Sequence, residues 1–274
     1  VKTMSFSNFK PTIWSRFIQT ELEKKCKLVD DCNRQFEGEA RLGGRVKILG
    51  AIAPEIFDYD ASVGMDTPQT LQGVSVHLDL DQAKAFNFMV DDLDRLQSNP
   101  ELMPIVLEEA SRKMAVARDS YVASLAKEST SYISSTKVTT AEQAKALVDK
   151  ALLTLRENDV DIADNVSITV SPFFYQLLRD ALTDLKTNND ELIARGVVGM
   201  YDCAKVVLSN NLYNDGTDDY MMVRTNKAIA FASAIDETEA YRPEKYFSDA
   251  VKGLNVFGGK LVRPKELVVI RAHK

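Results

Sequence analysis

The chain has 274 residues, 45% of them hydrophobic and 27% charged, with a formal net charge of −6, the composition of an ordinary folded soluble protein with ample length for a core. No run of about 18 apolar residues occurs, so no transmembrane helix is expected, and VKTMSFSNFKPTIW lacks the apolar core of a secretion signal. Three cysteines, Cys26, Cys32 and Cys203, without CxxC spacing argue against a disulfide framework or a zinc site and fit an intracellular origin.

The charge is uneven. Residues 1–50 hold ten Lys/Arg and six Asp/Glu, which leaves 24 positive and 34 negative side chains for the remainder. A basic arm on an acidic body suits nucleic acid, or an acidic neighbour of its own kind.

Residues 5–40 read as an irregular arm with one helix, Pro11-Thr12 leading into IWSRFIQTELEKK with Ile13, Phe17 and Leu22 as a short apolar stripe. Aromatics beside cations, Phe9-Lys10 and Trp14-Ser15-Arg16, suit base stacking. They suit anchoring in a neighbour's groove better, since Trp and Phe contribute most per residue there. Gly43-Gly44 then opens the strand RVKILGAI, whose natural partner is VSVHLDL at 74–80. The polar span between them, APEIFDYDASVGMDTPQTLQG, is long for a connection inside a compact domain. It predicts an extended hairpin that needs a partner surface.

The segment HLDLDQAKAFNFMVDDLD, residues 77–94, has the composition of a metal site. Alternation sets Val74, Val76, Leu78 and Leu80 on one face and Ser75, His77, Asp79 and Asp81 on the other, a half-buried strand with its carboxylates on the wet side. AFNFMV continues as a second extended, more buried run, and Asp91, Asp92 and Asp94 fall where DDLDRLQ starts a short helix, whose free N–H groups they cap. An extended run from 81 to 91 separates the two acidic groups by about 30 Å at roughly 3.3 Å per residue. The spacing predicts dispersed carboxylates, not one ion site.

Residues 103–128 give the longest helical signal. Pro104 lies in its first turn, Met103, Leu107, Ala110, Met114, Ala117, Tyr121 and Leu125 form one apolar stripe, and Glu108–Arg112 and Glu109–Lys113 form surface pairs. KESTSYISSTK marks a boundary. TTAEQAKALVDKALLTLREN opens on a capping signal, Thr140 with Gln143, and carries Ala144, Leu147, Val148, Ala151 and Leu155 on one face. NVSITV reads as a strand, Ser171-Pro172 as the start of a helix, Ala204–Leu208 as a strand, and NDGTDDY as a turn joining strands. YMMVRTNKAIAFASAI gives two strands around Asn226-Lys227, and the tail gives two or three strands broken at Gly258-Gly259 and Pro264. Strands and helices mix without regular β-α alternation, so the fold class is α+β.

Enzymatic motifs are scarce. There is no GxxxxGK[ST] loop and no GxGxxG after a strand. Aligned on Gly216, a calcium loop would need oxygens at Tyr213 and Met222. His77 and His273 are the only histidines, too few for a triad or a two-histidine metal site. His273, next to the last residue, is expected frayed and solvated, and Cys203 is expected as a buried thiol before the apolar strand AKVVL. Catalysis by carboxylates alone stays open, with Asp79, Asp81, Asp91 or Asp92 as the groups of a metalloenzyme.

SNFKPTIWSRFIQTELEKK, LDLDQAKAFNFMVDDLD, GVVGMYDCAKVVLSNNL and EAYRPEKYFSDAVKGLNVFGGKLVRPKELVVI, in that order over nearly the whole chain, resemble tailed-bacteriophage major capsid (coat) proteins of the Hong Kong 97-like fold. The resemblance implies an N-terminal arm at 1–40 and an extended β-hairpin loop at 41–80. It implies a peripheral domain with a long spine helix at 81–135 and 241–274, and an axial domain at 136–240. It also implies hexamers and pentamers of an icosahedral shell around packaged double-stranded DNA, bound non-specifically. Portal and scaffolding proteins, and a decoration protein, would be the other partners, with no cofactor, catalytic residue or membrane. The location would be the virion, after assembly in the host bacterial cytoplasm. Assembly contacts are expected at Phe6, Phe9, Trp14, Arg16, Phe57, Tyr59, Asp60 and Met65. Members that crosslink their loops use a Lys–Asn isopeptide; Lys47 lies at the loop base and residues 51–72 hold no lysine, so no crosslink is expected. Such chains tend to begin near MSFSNFKP, which sets Val1-Lys2-Thr3 apart as an extension, an alternative start or a cleavage remnant. An encapsulin-like compartment shell is the alternative within the same fold.

Overall fold

The structure, a computed structural model, describes residues 26–37, 45–50, 74–91, 102–160, 165–183, 199–245 and 248–274. Strand β1 (Arg45–Gly50) pairs antiparallel with β2 (Val74–Asp79), Arg45 opposite Asp79. Leu78 is buried while Ser75, His77 and Asp79 are exposed, as the alternation predicts. Strand β3 (Gln82–Asp91) continues the extended run but is not the more buried one expected: it forms the edge of a three-stranded antiparallel sheet, where Phe86 and Phe88 are half-buried and Ala85, Asn87 and Met89 are exposed.

Helix α1 (Leu102–Ser124), prolonged by a 3-10 turn at Leu125–Glu128, occupies the predicted helical span. Its buried surface is wider than the predicted stripe. Leu107, Met114 and Leu125 are buried as expected, but so are Ser111, Ala115, Arg118, Asp119, Val122 and Ala123. The cause is packing on two sides. One flank meets Phe86, Phe88 and Val251 of the three-stranded sheet, and Tyr121 meets Phe257 edge-on at 5.6 Å between centroids. The other meets Met222, Leu267 and Val269 of a second sheet. On the wet side Arg112 grips Glu109 through two N–H groups, at 2.8 and 2.6 Å. Both donors of the guanidinium fork then reach one carboxylate.

The second sheet is mixed. Its order is β4 (Ser131–Lys137), β12 (Leu267–His273), β9 (Asp219–Thr225), β5 (Val166–Val170), β7 (Ala204–Leu208) and β6 (Met200–Tyr201), with β8 (Tyr213–Asn214) on β9. Strands β4 and β12 run parallel, as do β5 and β7. Helix α2 (Ala141–Glu157) starts in the predicted capping box of Thr140 and Gln143, and α3 (Pro172–Thr183) follows Ser171. Both cover one face: Val148, Leu152, Leu155, Phe174 and Leu178 pack on Ile168, Met221, Val223, Val268 and Ile270. Full burial of a side chain such as Phe174 contributes about 1.5–3 kcal/mol. The α+β class follows directly.

Three expectations are corrected. Strand β11 (Ser248–Leu261) runs unbroken through Gly258-Gly259 between β10 (Ile229–Tyr241) and β3. Gly258 serves close approach: a Cβ there would lie 2.1 Å from the Asp79 carbonyl oxygen. Cys203 is exposed, because Asp202 and Cys203 form the two-residue turn between β6 and β7, both with positive φ, before the strand begins at Ala204. His273 is not frayed. Its Nδ1 lies 2.7 Å from Asp218 Oδ1, which also accepts the Ser135 hydroxyl at 2.9 Å, and the His273 carbonyl accepts the Val138 N–H at 3.0 Å.

The tail strand β12 pairs with β4 and β9, while β10 lies with β3 and β11. The two strands expected around Asn226-Lys227 are β9 and β10, and the turn between them hands the chain from one sheet to the other.

Candidate functional site

Residues 26–37 follow the stretch expected as an arm, and β1 and β2 flank the stretch expected as a loop, both outside the described residues. At the arm root, the buried Asp119 of α1 accepts three consecutive backbone N–H groups: Lys27 at 3.0 Å on Oδ2, then Leu28 at 3.1 Å and Val29 at 3.3 Å on Oδ1. Burial pushes the Asp119 carboxyl above its ordinary range, opposed by those three N–H donors and by the Arg224 cation. Arg224 of β9 is fully buried and donates to the Leu28 carbonyl at 2.6 Å and to Cys32 Sγ at 3.1 Å. Leu28 is thereby held by both its backbone groups while its side chain fills the cluster around Val122, Phe231 and Phe257. Burial, with Asp119 second, pushes the Cys26 thiol up to about 12, so it stays protonated.

The same short stretch touches both sheets. Asn33 forms a parallel bridge on β10, donating to Ile229 O and accepting from Phe231 N, each at 2.9 Å. Lys205 of β7 pairs with Asp31 at 3.0 Å, and Lys27 Nζ donates to Leu208 O at 3.2 Å. A second buried cation, Arg118, donates to Asn255 Oδ1 at 3.1 Å and fastens α1 to β11.

At the loop root, Arg45 donates to Asp79 through Nε and, at 3.3 Å, Nη2; this hydrogen-bonded pairing holds the Asp79 carboxyl below its usual range. Tyr121 donates to Asp81 at 3.0 Å. Burial raises the Tyr121 hydroxyl to about 12. Beneath, Val46, Ile48 and Leu78 pack on Ala230 and Ala232.

Asp79 and Asp81 are thus occupied at one end of β3, and Asp91 sits at the other end of that ten-residue strand. Among the described residues no group of three or more His, Cys, Asp or Glu comes together to hold a metal ion. Phe6, Phe9, Trp14, Arg16, Phe57, Tyr59, Asp60 and Met65 lie outside the described residues, as do Asp92 and Asp94. Lys47 sits in β1 opposite His77. Sequence reasoning missed Asp119, Arg118 and Arg224. The available signal was the adjacent charged pair Arg118-Asp119 flanked by Ala115 and Val122 in a helix, a pattern of a second buried flank. No described helix is long and apolar enough to cross a membrane. The arrangement holds residues 27–33 against α1, β9 and β10, and the β1–β2 pair against β10.

No protein-family model and no curated protein matches the chain. Solved structures do. One from Mycobacterium phage Che8 is similar with a TM-score of 0.76 and 29% identity, over 89% of this chain and 90% of that one. The capsid structure of the cyanophage P-SCSP1u gives 0.69 and 16%, over 85% and 84%. The mature capsid of bacteriophage PhiM1 gives 0.67 and 14%, over 90% and 87%.

Proposed function

Because this chain has the Hong Kong 97-like fold of tailed-bacteriophage major capsid proteins, we propose that it is the repeating subunit of an icosahedral phage shell. Copies of the chain form hexamers and pentamers, and the closed shell encloses double-stranded DNA packaged through a portal, with scaffolding and decoration proteins as further partners. Its role is structural, with no reaction. The observation that carries this reading is the match to Che8 across nine-tenths of both chains.

Arm, loop, peripheral and axial units keep the sequence-drawn roles, with β12 joining the axial sheet and β10 the peripheral one. Copies in a ring meet head to tail through different patches. Each contact is moderate, and the many contacts of the shell are collectively stable. The clasp around Asp119 and Arg224 supports this reading, because an arm can strap a neighbour only if its own root resists the pull. The acidic remainder limits sticking of DNA to the wall.

Negative-stain microscopy of the expressed full chain tests the proposal, together with nucleic-acid content of the purified particles. Closed shells of uniform diameter, filled with DNA when made in the presence of a portal, are expected. A protein that stays monomeric at high concentration would refute it. Shells that exclude DNA and retain an enzyme would point to the compartment alternative.

A further inference from the structure

The face of the seven-stranded sheet turned away from α2 and α3 carries a short polar row. Ser167 of β5 stands directly opposite Arg224 of β9 on one side and Lys205 of β7 on the other. Their chain neighbours Ile168, Val223 and Val206 point into the core under the helices, so these three side chains share the other face. Residues 31 and 32 straddle the row. Cys32 Sγ accepts from Arg224 Nη1 at 3.1 Å, and Asp31 Oδ1 accepts from Lys205 Nζ at 3.0 Å. Ser167, the middle of the row, therefore lies beneath the junction of two consecutive residues that reach its two ends.

Three buried polar atoms at this place have no hydrogen-bond partner among the described residues: Arg224 Nε, Ser167 Oγ and Asp31 Oδ2. Arg224 and Ser167 are buried, so bulk solvent does not serve them. Buried polar groups are costly to leave unpaired, and an ordered water is the usual remedy.

We propose that one water molecule is bound here as a structural ligand that joins residues 31–32 to the sheet. It accepts the Arg224 Nε–H, donates to Asp31 Oδ2 and shares its remaining bond with the Ser167 hydroxyl; three partners are the usual complement of a buried water. Charge selects the ligand. A cation is opposed by Arg224 and Lys205, and an anion by Asp31 and by Asp119, whose charge acts on Arg224. A neutral molecule that both donates and accepts meets neither objection.

The next row on the same face supplies the contrast. Thr169 lies between Met222 and Val207, and its hydroxyl is likewise buried and unpartnered among the described residues. Both neighbours are apolar, and apolar surroundings stay dry. One strand thus carries two such hydroxyls two residues apart, one among charges and one among hydrocarbon, and only the first holds water. The inference concerns the single chain and stands whether or not copies form shells.

Two measurements on the full chain test it. The first is a structure at a resolution that shows ordered waters. A density peak within hydrogen-bond distance of both Arg224 Nε and Ser167 Oγ is expected. Those two atoms bonded directly to each other, or left with nothing between them, overturn the proposal. The second uses variants of equal bulk, since threonine and valine differ only by a hydroxyl in place of a methyl. Ser167→Thr keeps a partner for the water and Ser167→Val removes it. Amide exchange at Leu28, Val29 and Cys32 should be about tenfold faster in Ser167→Val than in Ser167→Thr, the scale of one buried polar group left unpaired. Thr169→Val should exchange no faster than the wild type. Equal rates in the two Ser167 variants, or a loss in Thr169→Val as large as in Ser167→Val, overturn the proposal. Should the added bulk unfold both Ser167 variants, Ser167→Ala replaces them: faster exchange at the same amides than in the wild type is expected, and unchanged rates overturn the proposal.

Discussion

The Asp119 carboxylate accepts the Leu28 N–H at 3.1 Å across 91 residues of sequence, in a buried setting where Leu28 O meets Arg224 at 2.6 Å. One residue of the arm root is gripped from the spine helix on one side and from the seven-stranded sheet on the other. That grip ties residues 27–29 to two elements that are far apart in the chain.

Asp119→Ala removes the acceptor of three backbone donors and leaves Arg224 buried without its nearby anion. A loss of about 3–5 kcal/mol is expected, the usual result of orphaning a buried ionic group. Denaturant midpoints measure it. Amide exchange at Lys27, Leu28 and Val29 should accelerate more than exchange in α2, because the lesion is local to the root.

Asp79 predicts a pH dependence of the loop root. Its folded pKa lies below the ordinary carboxylate value because Arg45 hydrogen-bonds the charged form. The stabilisation is therefore present above that ordinary value and is lost as pH falls through the folded one. In Asp79→Asn this acid-side loss should be absent from exchange rates in β1 and β2. The pair is exposed, so added salt should blunt the wild-type effect as well.

Periodic segments were legible because their period reports one buried face: the alternation at 75–79 and the capping box at Thr140 stand as read, and the α2 stripe differs only in that Leu152 is buried and Leu147 half-buried. What the pattern could not show was contact between distant segments. Arg118, Asp119 and Arg224 went unnoticed, since nothing local says that a helix packs on two sides or that backbone N–H groups from residues 27–29 will meet a carboxylate. His273 read as a loose end because its partner Asp218 arrives from a turn 55 residues earlier. Gly258 read as a break for a related reason: its crowding neighbour is the Asp79 carbonyl, invisible to any local window.

That crowding is testable. Gly258→Ala places a carbon 2.1 Å from a backbone oxygen, so β2 or β11 must shift. Overpacking of this kind costs about 1–3 kcal/mol. A lowered thermal midpoint is expected, with faster proteolysis near residues 45–50 and 74–79. Gly259→Ala meets its nearest neighbours at 3.2 and 3.3 Å and should cost less.

Arg224 separates charge from geometry. In Arg224→Met the cation that lowers the Asp119 pKa is gone, so the carboxyl rises further above its ordinary value. A raised carboxyl contributes stability that is present in acid and lost as pH climbs through the folded pKa. The gap between wild type and Arg224→Met should therefore be smallest in acid, where Asp119 is protonated and needs no cation, and should widen toward neutral pH. Arg224→Lys restores the charge but not the fork, since one compact ammonium on a flexible stem does not reproduce the planar pair of donors to Leu28 O and Cys32 Sγ. Its stability curve should run parallel to wild type in pH and stay below it. A lysine curve that coincides with the wild type would mean the buried cation acts through charge alone, and that the hydrogen bond to Leu28 adds nothing to the clasp.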